Sequence, residues 1–280
     1  MKTLDAKVVV ITGAASGIGR ALALEAAGRG ALLALSDVDE AGLAQTGTLA
    51  EQAGAREVRV DRLDVADRAA VTAYADAVAE HFGRVNVVVN NAGVALAGDF
   101  TELDPSDMEW IMGINFWGVV HGCKAFLPHL IASGDGHVVN LSSLFGLVSM
   151  PGQSMYCAAK YAVRGMSEAL REEMLVARHP VGVTVVHPGG IKTAIARNAR
   201  VAEGEDQQAT ADFFDRKLAK MSPEQAAHVI WSGVLGGKAR VLVGSDAHAL
   251  HTLAKLTGSR YQDLVARVSR RVMPARTKVV

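Results

Sequence analysis

The sequence predicts an α/β fold of the Rossmann type: a doubly wound, mainly parallel, seven-stranded sheet with helices on both faces. Three observations predict it. Short β-branched runs alternate with longer amphipathic stretches, the order of a parallel sheet covered by helices. The early strand runs are nearly all apolar rather than alternating, as in strands buried on both faces. A glycine-rich turn stands directly between the first strand run and the first helical run.

In chain order, the apolar run Val8-Val9-Val10-Ile11 makes 7–11 the first strand, and 17–29 follows as a helix. Strand 31–36 leads into helix 40–53, strand 57–61 into helix 68–81, and strand 85–89 into one long helix over 105–131. Met108, Trp110, Met112 and Trp117 on that helix fit packing against the core or another subunit. Strand 137–141 precedes helix 154–177, strand 181–187 precedes helix 223–236, and 240–243 is the seventh strand. Residues 196–211, with the polar run Glu203-Gly204-Glu205-Asp206-Gln207-Gln208, read as an irregular, mobile surface segment. They form the centre of a substrate-loop segment expected at about 194–222, and a helical extension is expected at about 246–280. No Pro/Gly/Ser-rich linker or internal repeat divides the chain, so 1–280 is expected to be one dinucleotide-binding and catalytic domain.

The chain has 280 residues, half of them apolar, enough to bury a large core. Twenty-nine basic residues balance twenty-nine acidic ones, so no global field points to nucleic acid. Cys123 and Cys157 lie in no metal or CxxC spacing and read as reduced thiols in or near the core. Met1 to Lys7 runs straight into a strand without the pattern of a secretory signal. No run approaches eighteen apolar residues, so no membrane span is expected and the cytoplasm is the default compartment. Arg267, Arg270, Arg271, Arg276 and Lys278 read as a solvated basic helix end and tail; binding to an anionic surface is the alternative. His187, His248 and His251 have no placed partners and read as structural or surface residues.

The turn after the first strand is Thr12-Gly13-Ala14-Ala15-Ser16-Gly17-Ile18-Gly19. Its glycines let the backbone approach a pyrophosphate, which the N-terminus of the next helix favours through its unpaired N–H groups and dipole. The second strand ends at Asp37, where a carboxylate can accept hydrogen bonds from the adenosine ribose hydroxyls and would repel a 2′-phosphate. No arginine follows in Val38-Asp39, so NAD is expected over NADP. The alternative for Asp37 is an N-cap of the next helix.

Tyr156 and Lys160 stand four apart in 154–177 and so share one helical face. An ammonium near a phenol favours the phenolate and lowers its pKa, which suits the phenol to general acid–base work. Ser143 stands at the end of the fifth strand, at the edge where open α/β sheets bind ligands.

These residues resemble the short-chain dehydrogenase/reductase family in its compact form. The matches run in order from the Thr12–Gly19 turn through Asn90-Asn91-Ala92-Gly93, Asn115, Ser143, Tyr156 and Lys160 to Pro188-Gly189-Gly190-Ile191-Lys192-Thr193. The resemblance implies that Tyr156 is the proton donor and acceptor, and that Lys160 lowers its pKa and holds the nicotinamide ribose. It implies that Ser143 steadies the substrate oxygen and that Asn115, at a helix kink, seats a water in a proton relay. Gly13, Ser16, Gly17, Ile18 and Gly19 are implied to hold the pyrophosphate. Asp64 and Val65 are implied to meet the adenine; Asn91, Ala92 and Gly93, the adenosine ribose; Pro188, Gly189, Ile191 and Thr193, the nicotinamide amide and pyrophosphate. Structural alternatives stand beside three of these. Asn91 could tie strand ends together, Asn115 could be a satisfied buried amide, and Asp64 could cap the next helix.

The expected activity is hydride transfer between NAD and a small-molecule alcohol or ketone, hydrophobic and secondary. The apolar candidates Val94, Leu144, Phe145 and Met150, together with Gln153, Gly190 and 194–214, suggest that substrate class. A homodimer or homotetramer through the helices bearing Asn115 and Tyr156 is the partner the resemblance implies. An NADP-linked carbonyl or ketoacyl reductase is one alternative. A non-catalytic nucleotide sensor on the same fold is the other.

Overall fold

The computed structural model describes residues 1–272, so Arg276 and Lys278 of the basic tail lie outside the described residues. Seven stretches pair into one sheet: Val8–Thr12 (β1), Leu32–Asp37 (β2), Glu57–Arg62 (β3), Val87–Asn90 (β4), Gly136–Leu141 (β5), Val181–Pro188 (β6) and Arg240–Val243 (β7). Their order is β3-β2-β1-β4-β5-β6-β7, and every pairing is parallel. The expected parallel sheet is therefore present with all seven strands. Every residue of β1, β4 and β5 is buried, which is why those runs lack polar alternation.

The helices between the strands are Gly17–Ala27 (α1), Glu40–Gln52 (α2), Arg68–Phe82 (α3), Pro105–Met112 (α4), Gly118–Ala132 (α5) and Ser154–Val176 (α6). Gln207–Phe213 (α7), Pro223–Leu235 (α8), Ser245–Thr257 (α9) and Tyr261–Val272 (α10) follow. Residues of α1, α2 and α8 close one face of the sheet, where Leu22, Leu43, Ile230 and Trp231 are buried. Residues of α3, α5 and α6 close the other, with Tyr74, Phe126, Val163 and Met174. The Trp231 indole N–H donates to the Leu22 carbonyl (3.1 Å), which satisfies the one polar group that ring buries. No described helix is long and apolar enough to cross a membrane.

The expected single helix over 105–131 is interrupted. A π-helical turn, Gly113–Trp117, separates α4 from α5 and places Asn115 in its middle, fully buried. The family resemblance implied a helix kink at Asn115, and the break falls there, although the residue spacing was read as one continuous helix. The segment read as irregular and mobile is also built. Arg200–Val201 pairs in parallel with Leu96–Ala97, and the Ala202 N–H donates to the Ala97 carbonyl (2.8 Å). Arg200 lies 3.9 Å from the Trp110 ring centroid and pairs with Asp107 at 2.6 Å. These are contacts between sequence-distant residues, which local composition does not encode.

Candidate active site

The strands are parallel, so their C-terminal ends share one edge. The strand order reverses between β1 and β4, the place where open α/β sheets bind ligands beyond their carboxyl ends. The glycine turn leaves β1 at this place. Gly13 (φ +67°) and Gly17 (φ +54°) adopt backbone conformations that side chains disfavour. Gly19 is required by space instead: a Cβ there would lie 2.1 Å from the Gly13 carbonyl oxygen. Ser16 is the N-cap of α1 but directs no side chain to its N–H groups, whereas Asp39, Asp67, Asp104 and Ser222 each cap their own helices. The turn thus presents unshielded donors at the start of an eleven-residue helix, a fit for a pyrophosphate.

Several groups hold the turn rigid. The Asn91 amide donates to the carbonyls of Thr12 (2.9 Å) and Gly13 (3.0 Å). The Thr12 hydroxyl accepts from the N–H groups of Asn91 and Ala92, both at 3.1 Å. Asn91 therefore ties strand ends, the structural alternative, and in doing so brings Ala92 and Gly93 beside the glycine turn. Arg20 and Thr46 are supports that the sequence reading missed. Arg20 donates to the Ala15 carbonyl (2.5 Å) and to the Thr46 hydroxyl (2.9 Å), locking the turn to α2. No local signal marks them, because they lie on separate helices.

Asp37 ends β2 beside the turn. One carboxylate oxygen accepts from the Ala15 N–H (2.9 Å) and the other from the Asp39 N–H (3.1 Å). The N-cap of α2 is Asp39, so capping is not the role of Asp37. Likewise Asp67, not Asp64, caps α3; Asp64 is exposed and accepts a local bond from the Ala66 N–H (2.9 Å). The Val65 side chain is buried against α5, where Gly118 leaves room for it, and its carbonyl bonds His121.

Ser143, Tyr156 and Lys160 converge at the ends of β5 and α6. The Ser143 hydroxyl accepts from the Phe145 N–H (3.1 Å) and stands close enough to Tyr156 to favour its phenolate. The Phe145 ring meets the Tyr156 ring edge-on at 6.2 Å between centroids, an apolar wall beside the phenol. Lys160 is buried; its amine donates to the Leu141 carbonyl (3.0 Å) and lies 5.7 Å from the Tyr156 ring centroid. The expected lowering of the phenol does not hold in this structure. Desolvation pushes Tyr156 up to about 12, partly offset by the neighbouring Ser143 hydroxyl. Burial likewise pushes Lys160 down to about 8. The amine points to a backbone carbonyl rather than to the phenol oxygen, so burial outweighs attraction.

Asn115 stands behind this group. Its amide oxygen accepts from the Val94 N–H and its amide nitrogen donates to the Val94 carbonyl, both at 2.8 Å. A Cβ on Gly93 would lie 3.1 Å from the Asn115 amide oxygen and 3.5 Å from the Lys160 amine, so Gly93 brings these two side chains together. The Asn115 side chain is a satisfied buried amide, as its structural alternative held. Beneath the site, the Asn90 amide donates to Asn140 (2.8 Å) and the Asn140 amide to Ser167 (2.9 Å), a buried network joining β4, β5 and α6. Cys123 lies within it, and both cysteines are free and buried.

His187, expected to be structural, is fully buried on β6 and bonds the Ser143 carbonyl through Nδ1 (2.8 Å). It therefore braces the backbone of the serine. The next residues, Pro188 to Thr193, end on the glycine turn. A Cβ on Gly17 would lie 3.1 Å from the Thr193 methyl. All the expected clusters thus meet at one sheet edge, while Asp64 stays exposed and Val65 turns its side chain to the core.

A family model for short chain dehydrogenases matches residues 7–204. An oxidoreductase named SadH from Mycobacterium tuberculosis is 63% identical over 266 residues, covering 95% of this chain and 96% of SadH. Epidermal retinol dehydrogenase 2 of Mus musculus is 38% identical over 195 residues, 69% of this chain and 63% of its own length. A short-chain dehydrogenase/reductase from Burkholderia phymatum, solved in complex with NAD, superposes with a TM-score of 0.84 at 33% identity over 100% of both chains. With these matches, and with the glycine turn, Ser143, Tyr156 and Lys160 meeting at one sheet edge, the chain belongs to the short-chain dehydrogenase/reductase family of oxidoreductases.

Proposed function

We propose that this chain is an NAD-dependent dehydrogenase of hydrophobic secondary alcohols, acting reversibly on the matching ketones, with Tyr156 as general acid and base. The observation that carries this reading is the convergence of Ser143, Tyr156 and a buried Lys160 at the carboxyl edge of the sheet, with the Lys160 amine 5.7 Å from the Tyr156 ring centroid. A bound nicotinamide dinucleotide supplies the hydride acceptor or donor. The residues present fit it: two positive-φ glycines, an uncapped helix start and the Asp37 carboxylate beside the turn.

In the oxidising direction, the Ser143 hydroxyl holds the substrate oxygen and the Tyr156 phenolate oxygen takes the hydroxyl proton as the hydride leaves the carbon. In reduction, Tyr156 returns that proton to the carbonyl oxygen. Lys160 holds the nicotinamide ribose and places positive charge on the side of the phenol. Asn115 backs the site through Val94 and Gly93, and a water seated near it would carry the proton outward. Gly13, Ser16, Gly17, Ile18 and Gly19 hold the pyrophosphate. Asp37 takes the adenosine ribose hydroxyls and disfavours a 2′-phosphate. Asp64 and Val65 meet the adenine, with Asn91, Ala92 and Gly93 on the ribose and Pro188, Gly189, Ile191 and Thr193 on the nicotinamide side.

The substrate class is supported by the side chains near Tyr156. Val94, Met155 and Tyr156 pack on the cluster of Leu96, Leu103, Ile111 and Ala202, and Phe145 stands edge-on to the phenol. The retinol dehydrogenase named above is called after a lipophilic primary alcohol, which agrees with the apolar character of that wall. The assembly we propose is a homodimer or homotetramer through α5 and α6; Trp117, just before α5, is half exposed at 51%.

The test is a panel of secondary alcohols and ketones with NAD and with NADP, read at the reduced-nicotinamide absorbance band. Turnover with NAD on apolar substrates is expected, and Tyr156→Phe should lose about a hundredfold or more of it while NADH binding persists. Equal use of NADP defeats the cofactor assignment, unchanged turnover in Tyr156→Phe defeats the role of Tyr156, and NADH binding without any turnover favours the sensor.

A further inference from the structure

The stretch from Pro188 to Thr193 is held by a residue far along the chain. The Gly190 N–H donates to a carboxylate oxygen of Asp246 at 2.8 Å. The same carboxylate lies flat against Gly189, where a Cβ would stand 2.2 Å from both of its oxygens. Asp246 reaches this position from the first turn of α9, where a negative charge is favoured by the helix dipole. The backbone turns from β7 into α9 at Gly244, which has φ +100° and whose Cβ would also meet the carboxylate, at 2.5 Å. Two glycines on separate elements thus leave room for one side chain.

The other side of the turn is equally fixed. The Gly189 N–H donates to the Val243 carbonyl (2.9 Å), and the Gly190 carbonyl accepts from the Lys220 N–H (3.0 Å). The Lys192 N–H donates to the Met221 carbonyl (2.9 Å). The α9–α10 pair also covers the turn that follows Ser143: Leu144 and Val148 are buried with Ala247 and Tyr261, and Phe145 packs on them. One C-terminal segment therefore braces both the serine turn and the Gly189–Gly190 turn.

We propose that Asp246 is a positioning residue for the nicotinamide half of the site: it fixes the Gly189–Gly190 turn, and through it the path of Ile191 and Thr193 over the glycine turn. The idea rests on the reading that Pro188 to Thr193 hold the nicotinamide side. It assigns Asp246 no contact with the reacting atoms. Its carboxylate acts by accepting the Gly190 N–H and by filling the space above Gly189, so an amide oxygen in the same place should serve in part.

The experiment uses the full chain and follows NADH binding by fluorescence, together with KM for NAD, kcat and thermal unfolding. Asp246→Ala is expected to weaken NADH and raise KM for NAD by about tenfold, the loss of one hydrogen bond to a charged acceptor. Asp246→Asn is expected to stay within about threefold of the parent, because it keeps an oxygen acceptor. Gly189→Ala should weaken NADH through collision with the carboxylate, and Gly189→Ala combined with Asp246→Ala should be no worse than Gly189→Ala alone, since the collision is gone. A purely structural role would lower the unfolding temperature while leaving KM of the folded enzyme unchanged; that pattern overturns the proposal. Additive losses in the double variant overturn it as well. If the parent itself binds no NADH, the reading of the whole site fails, and that outcome is distinct from a parent that binds NADH beside an Asp246→Ala variant that binds it equally.

Discussion

At the scale of single residues, burial sets the chemistry more than pairwise attraction does. Tyr156 is pushed up to about 12, so near neutral pH it is a phenol ready to give a proton and a scarce base. Carbonyl reduction should therefore persist at neutral pH, while kcat/KM for oxidation should climb with pH as the phenolate fraction grows. Lys160, brought down to about 8, loses its charge above that value and should bend the climb there. A pH profile of both directions checks this, and an oxidation rate flat from pH 6 to 8 would contradict it. Asp37→Ala should raise KM for NAD and narrow the preference over NADP, measured as the ratio of kcat/KM values. His137 and His187 make a separate prediction. Desolvation holds each near about 4, below the ordinary value of 6.5, so the folded protein binds fewer protons than the unfolded chain between those values. Their stabilising contribution is complete above pH 6.5 and is lost as pH falls toward 4. The loss is about 1.4 kcal/mol per histidine per pH unit at its steepest. Unfolding midpoints measured from pH 7 to 4 should fall accordingly, and His187→Gln should flatten the slope.

At the scale of elements, the turns carry the function and the strands aim them. Gly19→Ala places a methyl 2.1 Å from the Gly13 carbonyl oxygen and 2.6 Å from the Asn91 amide, and neither backbone nor amide can move freely. We expect roughly 1–3 kcal/mol of lost stability and a larger loss of NADH affinity, read by calorimetry and by fluorescence. Unaltered binding would show that the turn is looser than its hydrogen bonds imply. Much at this scale was legible beforehand. The inner strands β1, β4 and β5 lie on apolar runs because both their faces are buried, whereas the edge strand β3 carries charged residues with no buried position. The kink at Asn115 was legible only through the family resemblance and not from spacing, because the buried amide's partner, Val94, lies twenty-one residues earlier. The segment 196–211, read as irregular, holds the strand Arg200–Val201 and the start of α7, because Arg200 finds Asp107 and Trp110 only in the folded chain.

At the scale of the whole molecule, the parallel order of strands brings Thr12, Asp37, Asn90, Leu141 and Pro188 to one edge. An assembly through α5 and α6 predicts a solution mass at a multiple of 29.4 kDa. A monomeric mass by light scattering would overturn that arrangement. The division between sequence and structure follows from range. The sequence by itself determined the strand–helix alternation, the glycine turn, the spacing of Ser143, Tyr156 and Lys160, and the acid at the end of β2. Each is a pattern within a few residues, or a residue type in a set order. Only the tertiary structure decided which acids cap helices, how Lys160 faces Tyr156, and that α9 returns to hold Gly190. Those depend on burial and on contacts between residues tens of positions apart, and neither is written in local spacing.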